Sequence, residues 1–488
     1  MATIALKSRE SIFYHPRGIT AATIVLIILW AVMQWNLSAF VFLGVAILFI
    51  IGLKNPLWAV AAILVSQMTI TSYIISTPVV DISLRLLLML LTLYIIRGSI
   101  ARKEIDLGPN ARKLIIPMVI LIAISLISNI VNPPTLEVTF RTFRNMFVGL
   151  LFIILLPAII KNPRQLKVIL GIILIVAIAS SIIGVFQHYN ILGMSQATIL
   201  VPGVSDNTTL PNTVFELTRV PGMGETQLEL AYILPVVFVV LLTLFFTRGI
   251  SSAHRYLLFI PMIPIFLALY FTYTRSALFA LGVGVISIFM FILIRVRWEI
   301  ILVIMAVFIL MIETFGVFEE SFLGGRSETG QEESSIARDI LSQAGTAIAL
   351  DNPVFGIGAE RFKEVSSQYA SKVDPVLIAY EDRYWSYSTL GEDEPHNDFI
   401  MMWLSHGTPA LIVYILLFFI MIYNLMYSFR NSNNRFIKGV SIGLAAGLIA
   451  YIANSFYHNL LVTLPLLWII AGFTLVTSKL AAKEKRTV

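Results

Sequence analysis

The chain has 488 residues, 58% hydrophobic and only 13% charged, with no cysteine and a formal net charge of +6. Soluble domains keep charge near a quarter of their residues, so a soluble core is excluded and a multi-pass membrane protein is left. The missing cysteines exclude disulfides, thiolate metal sites and cysteine nucleophiles. The basic excess is explained more simply by membrane topology than by nucleic acid.

The amino end, "MATIALKSRESIFYHPRG", is basic and runs into "ITAATIVLIILWAVMQW" without a small-residue cleavage site, which predicts an uncleaved first span. Apolar segments then recur near residues 19–35, 37–53, 57–76, 82–97, 114–131, 138–160, 167–188, 229–247, 256–273, 275–294, 298–316, 398–428, 438–457 and 460–478. The first two are short and closely joined, so the expectation is an all-α polytopic membrane protein of about 12–14 transmembrane helices. If the spans alternate, 23 of the 34 basic residues share one side, in clusters such as "RGSIARKEIDLGPNARK", "KNPRQLK" and "RNSNNRFIK". The positive-inside rule makes that side cytoplasmic, with both termini there. The expected organisation is a transmembrane bundle over 1–316 with an outward loop at about 189–228, a large extracytoplasmic loop over 317–397, and C-terminal transmembrane helices over 398–488. Within the large loop, "SSIARDILSQAGTAIAL" puts Ile336, Ile340, Leu341, Ala344 and Ile348 on one helical face. "DNPVFGIGAE" reads as a turn, and "RFKEVSSQYASKV" as a second short helix.

The other 11 basic residues are Arg85, Arg141, Arg144, Arg219, Arg275, Arg326, Arg338, Arg361, Lys363, Lys372 and Arg383. Arginine predominates among them, and its planar fork suits phosphate and carboxylate oxygens. Arginine inside a span costs roughly 2.5 to 3.5 kcal/mol on insertion scales, so arginines kept at the outer ends of spans invite a functional reading. Each also has a plainer role. Glu137, Arg141 and Arg144 share one helical face, where Glu137 can pair with Arg141. Arg275, in "YTRSALFAL", can snorkel to headgroups from a short hairpin. Arg338 can be a solvated loop residue, and Arg219, before "VPGMGETQ", can serve its own loop alone.

The loop ends in "GEDEPHNDFIMMWLSHG". His396 at this boundary is either a helix cap or a general base, since neutral imidazole near its ordinary pKa of about 6.5 accepts protons at neutral pH. Asn397 can orient the imidazole or a sugar hydroxyl. His406 lies roughly 15 Å deeper along an α-helix and reads as a buried polar group. A rival reading takes the chain as extended, so that Glu392, Glu394, His396 and Asp398 face a divalent ion together.

These residues carry a resemblance. "PHNDFIMMWLSHGTPALIVYIL" is similar to the signature of the O-antigen ligase and O-antigen polymerase family, a His-Asn, nine residues, then Gly, matched by His396, Asn397 and Gly407. The last signature position departs, being Ala410. "SSIARDILSQAGTAIALDNPVFGIGAERF" resembles the family's Arg-bearing helix followed by a Gly-x-Gly turn, and "YTRSALFALGVGV" its segment with an arginine at the outer end of a span. The resemblance implies a C-type glycosyltransferase-like fold that transfers a glycan from undecaprenyl pyrophosphate to a hydroxyl, with inversion and without a metal or other cofactor. It implies that Arg275 and Arg338 recognise the donor pyrophosphate and that His396 activates the acceptor, joined by Arg219; from their place at the outer surface, Arg141, Arg144 and Asn397 are expected as further substrate contacts. The acceptor it implies is a lipid A core or another carrier-linked glycan, and a protein acceptor is also open. Membrane lipids are expected partners and nucleic acid is not. The place implied is the bacterial plasma membrane, with the site facing outward. The competing class is a transporter or flippase of an anionic lipid-linked glycan. Matching interrupted helices in two halves would signal that class, and the sequence lacks such a repeat.

Overall fold

A computed structural model describes residues 47, 50–52, 54–69, 89, 90, 92–94, 106–191, 220–223, 227–247, 252–292, 328–384, 388–459 and 465–487. Among these residues the chain is helical with no strand. The helices are α1 (Pro56–Thr69), α2 (Ala111–Val131), α3 (Leu136–Ile159), α4 (Pro163–His188), α5 (Gln227–Phe246), α6 (Ser252–Phe259), α7 (Met262–Phe271), α8 (Arg275–Ile292), α9 (Glu328–Asp351), α10 (Phe362–Ser366), α11 (Pro375–Tyr384), α12 (Asp398–Asn431), α13 (Arg435–Ser455) and α14 (Leu466–Thr487). Seven of them, α2 to α5 and α12 to α14, are long and apolar enough to cross a membrane, and α1, α6–α7 and α8 supply shorter apolar helices. The protein is an all-α polytopic membrane protein. The expected spans near 19–35, 37–53, 82–97 and 298–316 fall wholly or mostly outside the described residues.

Local chemistry sets the boundaries. Asn162, Asn397 and Asn434 each accept hydrogen bonds from the first turn of the helix that follows, and Thr135 does the same for α3. Along α2, Leu114, Met118 and Leu121 are buried while Ile116, Val119, Ile120 and Ile127 are exposed. Both faces are apolar because the outer one meets lipid.

Two expected spans are broken. The segment 256–273 divides into α6 and α7 around Pro261, which has no amide hydrogen and whose ring crowds the preceding turn. The segment 398–428 lies within α12 but is interrupted at Gly407, whose φ of 83° and ψ of 173° are non-helical. The helix of the last expected span is described from Leu466, and residues 460–464, where that span was expected to begin, lie outside the described residues.

The centre of the bundle is α13, which contacts α5, α8, α12 and α14. Its Gly439, Gly443 and Gly447 recur every fourth residue and face α5. A Cβ at Gly443 would stand 2.9 Å from Val240 Cα, and one at Gly447 3.0 Å from Val236 Cγ1. Small residues at this spacing let two backbones approach in lipid, where packing replaces the hydrophobic drive between helices.

Contacts between helix ends sort the molecule into two poles. At one, the Lys479 ammonium donates to the Pro157 carbonyl at 2.7 Å, and the Glu484 carboxylate accepts from Ser432, Asn433 and Asn434. At the other gather the ends of α2, α3, α8 and α13, the start of α12 and the loop subdomain built from α9 to α11. That subdomain has its own core, in which Ile340, Leu341, Ala344 and Ile348 pack with Phe362, Val373, Leu390 and Leu404. The stripe expected on α9 is therefore the buried face of this small core.

Candidate active site

The break in α12 explains how the loop subdomain is held. Pro409 cannot donate and its ring crowds the preceding turn, so the helix must give up bonds near Leu404 and Ser405. The turn 353–358 takes their place. Ile357 N–H donates to Leu404 O at 2.8 Å, Gly358 N–H to Ser405 O at 3.0 Å, and Thr408 N–H to Pro353 O at 2.7 Å. From α2, Ser128 Oγ donates to Phe355 O and Ser405 O, Asn132 Nδ2 to Gly356 O, and Asn129 Oδ1 accepts from Ala359 N–H. Unpaired backbone groups at membrane depth cost several kcal/mol each, so this exchange keeps the interrupted helix stable.

Only glycine fits at the crossing. A Cβ on Gly407 would lie 2.2 Å from Val354 O, and one on Gly356 2.4 Å from Leu404 O. At Gly345, on α9, a Cβ would meet Ile400 Cγ2 at 2.7 Å. The signature glycine, the Gly-x-Gly turn and the Arg338 helix thus form one joint between α9 and α12. Its effect is to fix Arg338 relative to His396.

The residues at this pole follow from that joint. His396 sits just before α12 with exposed surface, and its ring meets that of His458 edge-on, with centroids 6.3 Å apart. His458, 5% exposed, follows the end of α13 and shares a 2.8 Å hydrogen bond between Nε2 and Ser276 Oγ. Ser276 is the neighbour of Arg275, whose Cα is about 3.8 Å away along the chain. The ring of Tyr232 on α5 is tilted against that of His458, with centroids 5.4 Å apart. Arg338 is near enough to act electrostatically on both histidines. Burial of part of its ring, then Arg338, push the His396 pKa below its ordinary value, while Asp393 pulls the other way. Burial, then Arg338 and His396, push His458 down to about 3. Both imidazoles are therefore neutral at neutral pH, and His396 is the more accessible of the two.

Asn397 caps α12, its Oδ1 accepting from Phe399 and Ile400 N–H at 2.9 and 3.1 Å, so its side chain holds the helix start. The Asn397 N–H donates to Asn459 Oδ1 at 3.0 Å, and Asn459 Nδ2 donates to Glu394 at 3.3 Å. Glu394 in turn lies within electrostatic reach of Glu360, which pairs with Arg141 at 3.2 Å. Arg141 also pairs with Glu137 at 2.7 Å, so two carboxylates share its charge. The expected i, i+4 pair is present, and its partner Glu360 lies 219 residues further along the chain. Arg144, one turn on, is half-buried. Arg219 lies outside the described residues, while its neighbour Val220 is buried and donates to Phe271 O at 3.3 Å.

The fold thus brings Arg338, His396 and the start of α8 to one place, and sets Arg141 in a neighbouring ion-pair cluster. The rival metal arrangement does not form. Glu394 turns to Asn459, Asp398 is buried in the first turn of α12, and His396 faces His458. Among the described residues no group of three His, Asp or Glu side chains could hold a metal ion. Sequence reasoning gave no role to His458, Asn459, Ser276 or Glu360. One signal was available for two of them, because "HN" occurs at 396–397 and again at 458–459.

Residues 257–415 match a family model described as O-antigen ligase. The match runs from α6 into α12, about a third of the chain, and includes Arg275, Arg338, His396 and Gly407. No curated protein matches the chain.

Proposed function

We propose that this membrane protein, whose residues 257–415 match a family model described as O-antigen ligase, is a glycosyltransferase that moves a glycan from undecaprenyl pyrophosphate to a hydroxyl acceptor on the extracytoplasmic face. The observation that carries this reading is the approach of Arg338, His396 and the Arg275 end of α8 around His458 at one pole. A lipid-linked donor presents its pyrophosphate at headgroup level, with the tail in the bilayer and the glycan in water. The outer ends of membrane helices are where fixed positive charge can meet it.

In the transfer step the acceptor oxygen attacks the anomeric carbon of the donor, and its proton passes to neutral His396. The bond from the anomeric carbon to the pyrophosphate oxygen breaks, and its electron pair leaves with undecaprenyl pyrophosphate. Arg275 and Arg338 stabilise the negative charge that grows on that leaving group, where preorganised charge contributes most. Attack opposite the leaving group inverts the anomeric centre. Arg141 is shared between Glu137 and Glu360 and shapes the rim. Lipid A core, a second carrier-linked glycan and a protein hydroxyl are the acceptors to compare.

The test is glycan transfer by purified protein in liposomes with EDTA present, comparing wild type with His396→Ala. Product from wild type alone supports the reading, and the acceptor consumed tells a ligase from a polymerase or a protein glycosyltransferase. No product from wild type with any of the three acceptors, with or without added divalent metal, sinks it and favours lipid transport.

A further inference from the structure

The two His-Asn dipeptides meet in space. The ring of His458 lies edge-on to that of His396, and the side chain of Asn459 accepts from the backbone of Asn397 while donating to Glu394. Residues 62 positions apart in sequence are thereby joined at two adjacent points. Residue 458 is also joined to Ser276. The pair lies beyond the family match, which ends at residue 415.

We propose that His458 and Asn459 are positioning residues of the transfer site, clamping the His396 loop from behind and mooring it to the start of α8 beside Arg275. The proposal rests on the glycosyl-transfer reading for its consequence, though the clamp itself does not. His396 precedes the first residue of α12, and a backbone at the end of a loop is free to swing unless something outside the loop holds it. Asn459 is that hold: one amide engages both the 397 backbone and the 394 carboxylate. His458 stands edge-on beside the imidazole, with ring centroids 6.3 Å apart, and covers that side of it. Because Ser276 adjoins Arg275, the same clamp sets the distance between the arginine on the leaving-group side and the base on the acceptor side. A shift of about 1 Å in such a distance can cost roughly a hundredfold in rate. Among the described residues, the charged and titratable groups that act on or touch His396 are Arg338 from α9, Asp393 from its own loop and His458 from the end of α13. His458 is held neutral throughout the working range, so its bond to Ser276 does not change with pH.

The experiment uses full-length protein in detergent as wild type, His458→Ala, His458→Gln, Asn459→Ala and Ser276→Ala. Each is measured for transfer kinetics across pH and for the rate at which diethyl pyrocarbonate modifies His396, read by peptide mass spectrometry across the same range. The second readout follows neutral imidazole and needs no turnover. The alanine variants at 458 and 459 should lose about tenfold to a hundredfold in kcat with donor KM changed less than about twofold. In both, His396 should label faster, with its pKa moved up toward the ordinary value of about 6.5 as water enters. Gln at 458 can still bond Ser276 and should recover most of the rate. Labelling of His396 in the alanine variants that matches wild type, or wild-type kcat in both, overturns the clamp. If those variants do not survive purification, Ser276→Ala decides: faster labelling supports the proposal and an unchanged profile removes it. A wild type that transfers nothing while labelling shifts as expected would keep the clamp and discard the glycosyl-transfer reading.

Discussion

In the proposed transfer step the base must be neutral when the acceptor arrives, and two features around His396 favour that state. Partial burial of the ring penalises the imidazolium, and the Arg338 guanidinium repels it. The folded pKa is therefore below the ordinary value, so the base is available through the neutral range and is lost only as pH falls through a point under about 6.5. The acid limb of kcat against pH should report that lowered value. In Arg338→Gln the repulsion is gone, the pKa rises, and the limb should move to higher pH; a limb that stays in place would separate Arg338 from His396. His396→Ala should lower kcat by roughly a hundredfold to ten-thousandfold. Arg338→Lys should not rescue Arg338→Ala, because an ammonium lacks the planar fork. Rescue by lysine in a kinetic assay would reduce the arginine to a point charge.

At the level of elements, the joint between α9 and α12 rests on glycines that face each other across the break. Gly407 occupies a backbone region essentially reserved for glycine, where a side chain costs on the order of 1 to 3 kcal/mol from conformation alone. The Val354 carbonyl at 2.2 Å from a would-be Cβ adds to that. Gly407→Ala should lower the thermal midpoint in detergent and reduce activity together, whereas Ala410→Gly, further down the helix, should change either much less. Equal melting of Gly407→Ala and wild type would mean that the break tolerates a side chain. Gly345→Leu should separate α9 from Ile400 and weaken transfer even where the fold survives. The stripe on α9 was legible from periodicity, because burying one helical face demands it. The break at Gly407 was not read from the sequence, because Gly and Pro interrupt an apolar helix only when a partner stands ready to take the freed carbonyls. Here that partner is the turn 353–358, fifty residues upstream.

Across the whole molecule, the sorting of helix ends into two poles makes a topological prediction. The chain has no native cysteine, so single cysteines report sidedness without background. Lys372→Cys and Glu392→Cys, both exposed at the site pole, should react with an impermeant maleimide on intact cells or spheroplasts. Arg112→Cys and Asn433→Cys, exposed at the other pole, should react only after permeabilisation. The reverse pattern would put the site on the cytoplasmic side and end the extracytoplasmic reading. The charge bias behind this expectation is a property of the chain, since the sign of each connecting segment acts during insertion, before any tertiary contact exists.

The membrane class and the small core of the loop were determined by sequence alone, because hydrophobic length and helical period are local quantities that each segment carries by itself. The family resemblance likewise lay within continuous stretches. Only the tertiary structure decided that Arg338 stands by His396, that Arg141 is shared with Glu360, that the acidic run does not gather, and that a second His-Asn pair backs the first. Those outcomes depend on which helix ends meet, and in lipid that is settled by backbone complementarity, such as Gly443 against Val240 and Gly407 against Val354. Complementarity of this kind belongs to pairs of distant segments, and no single stretch of the chain contains it.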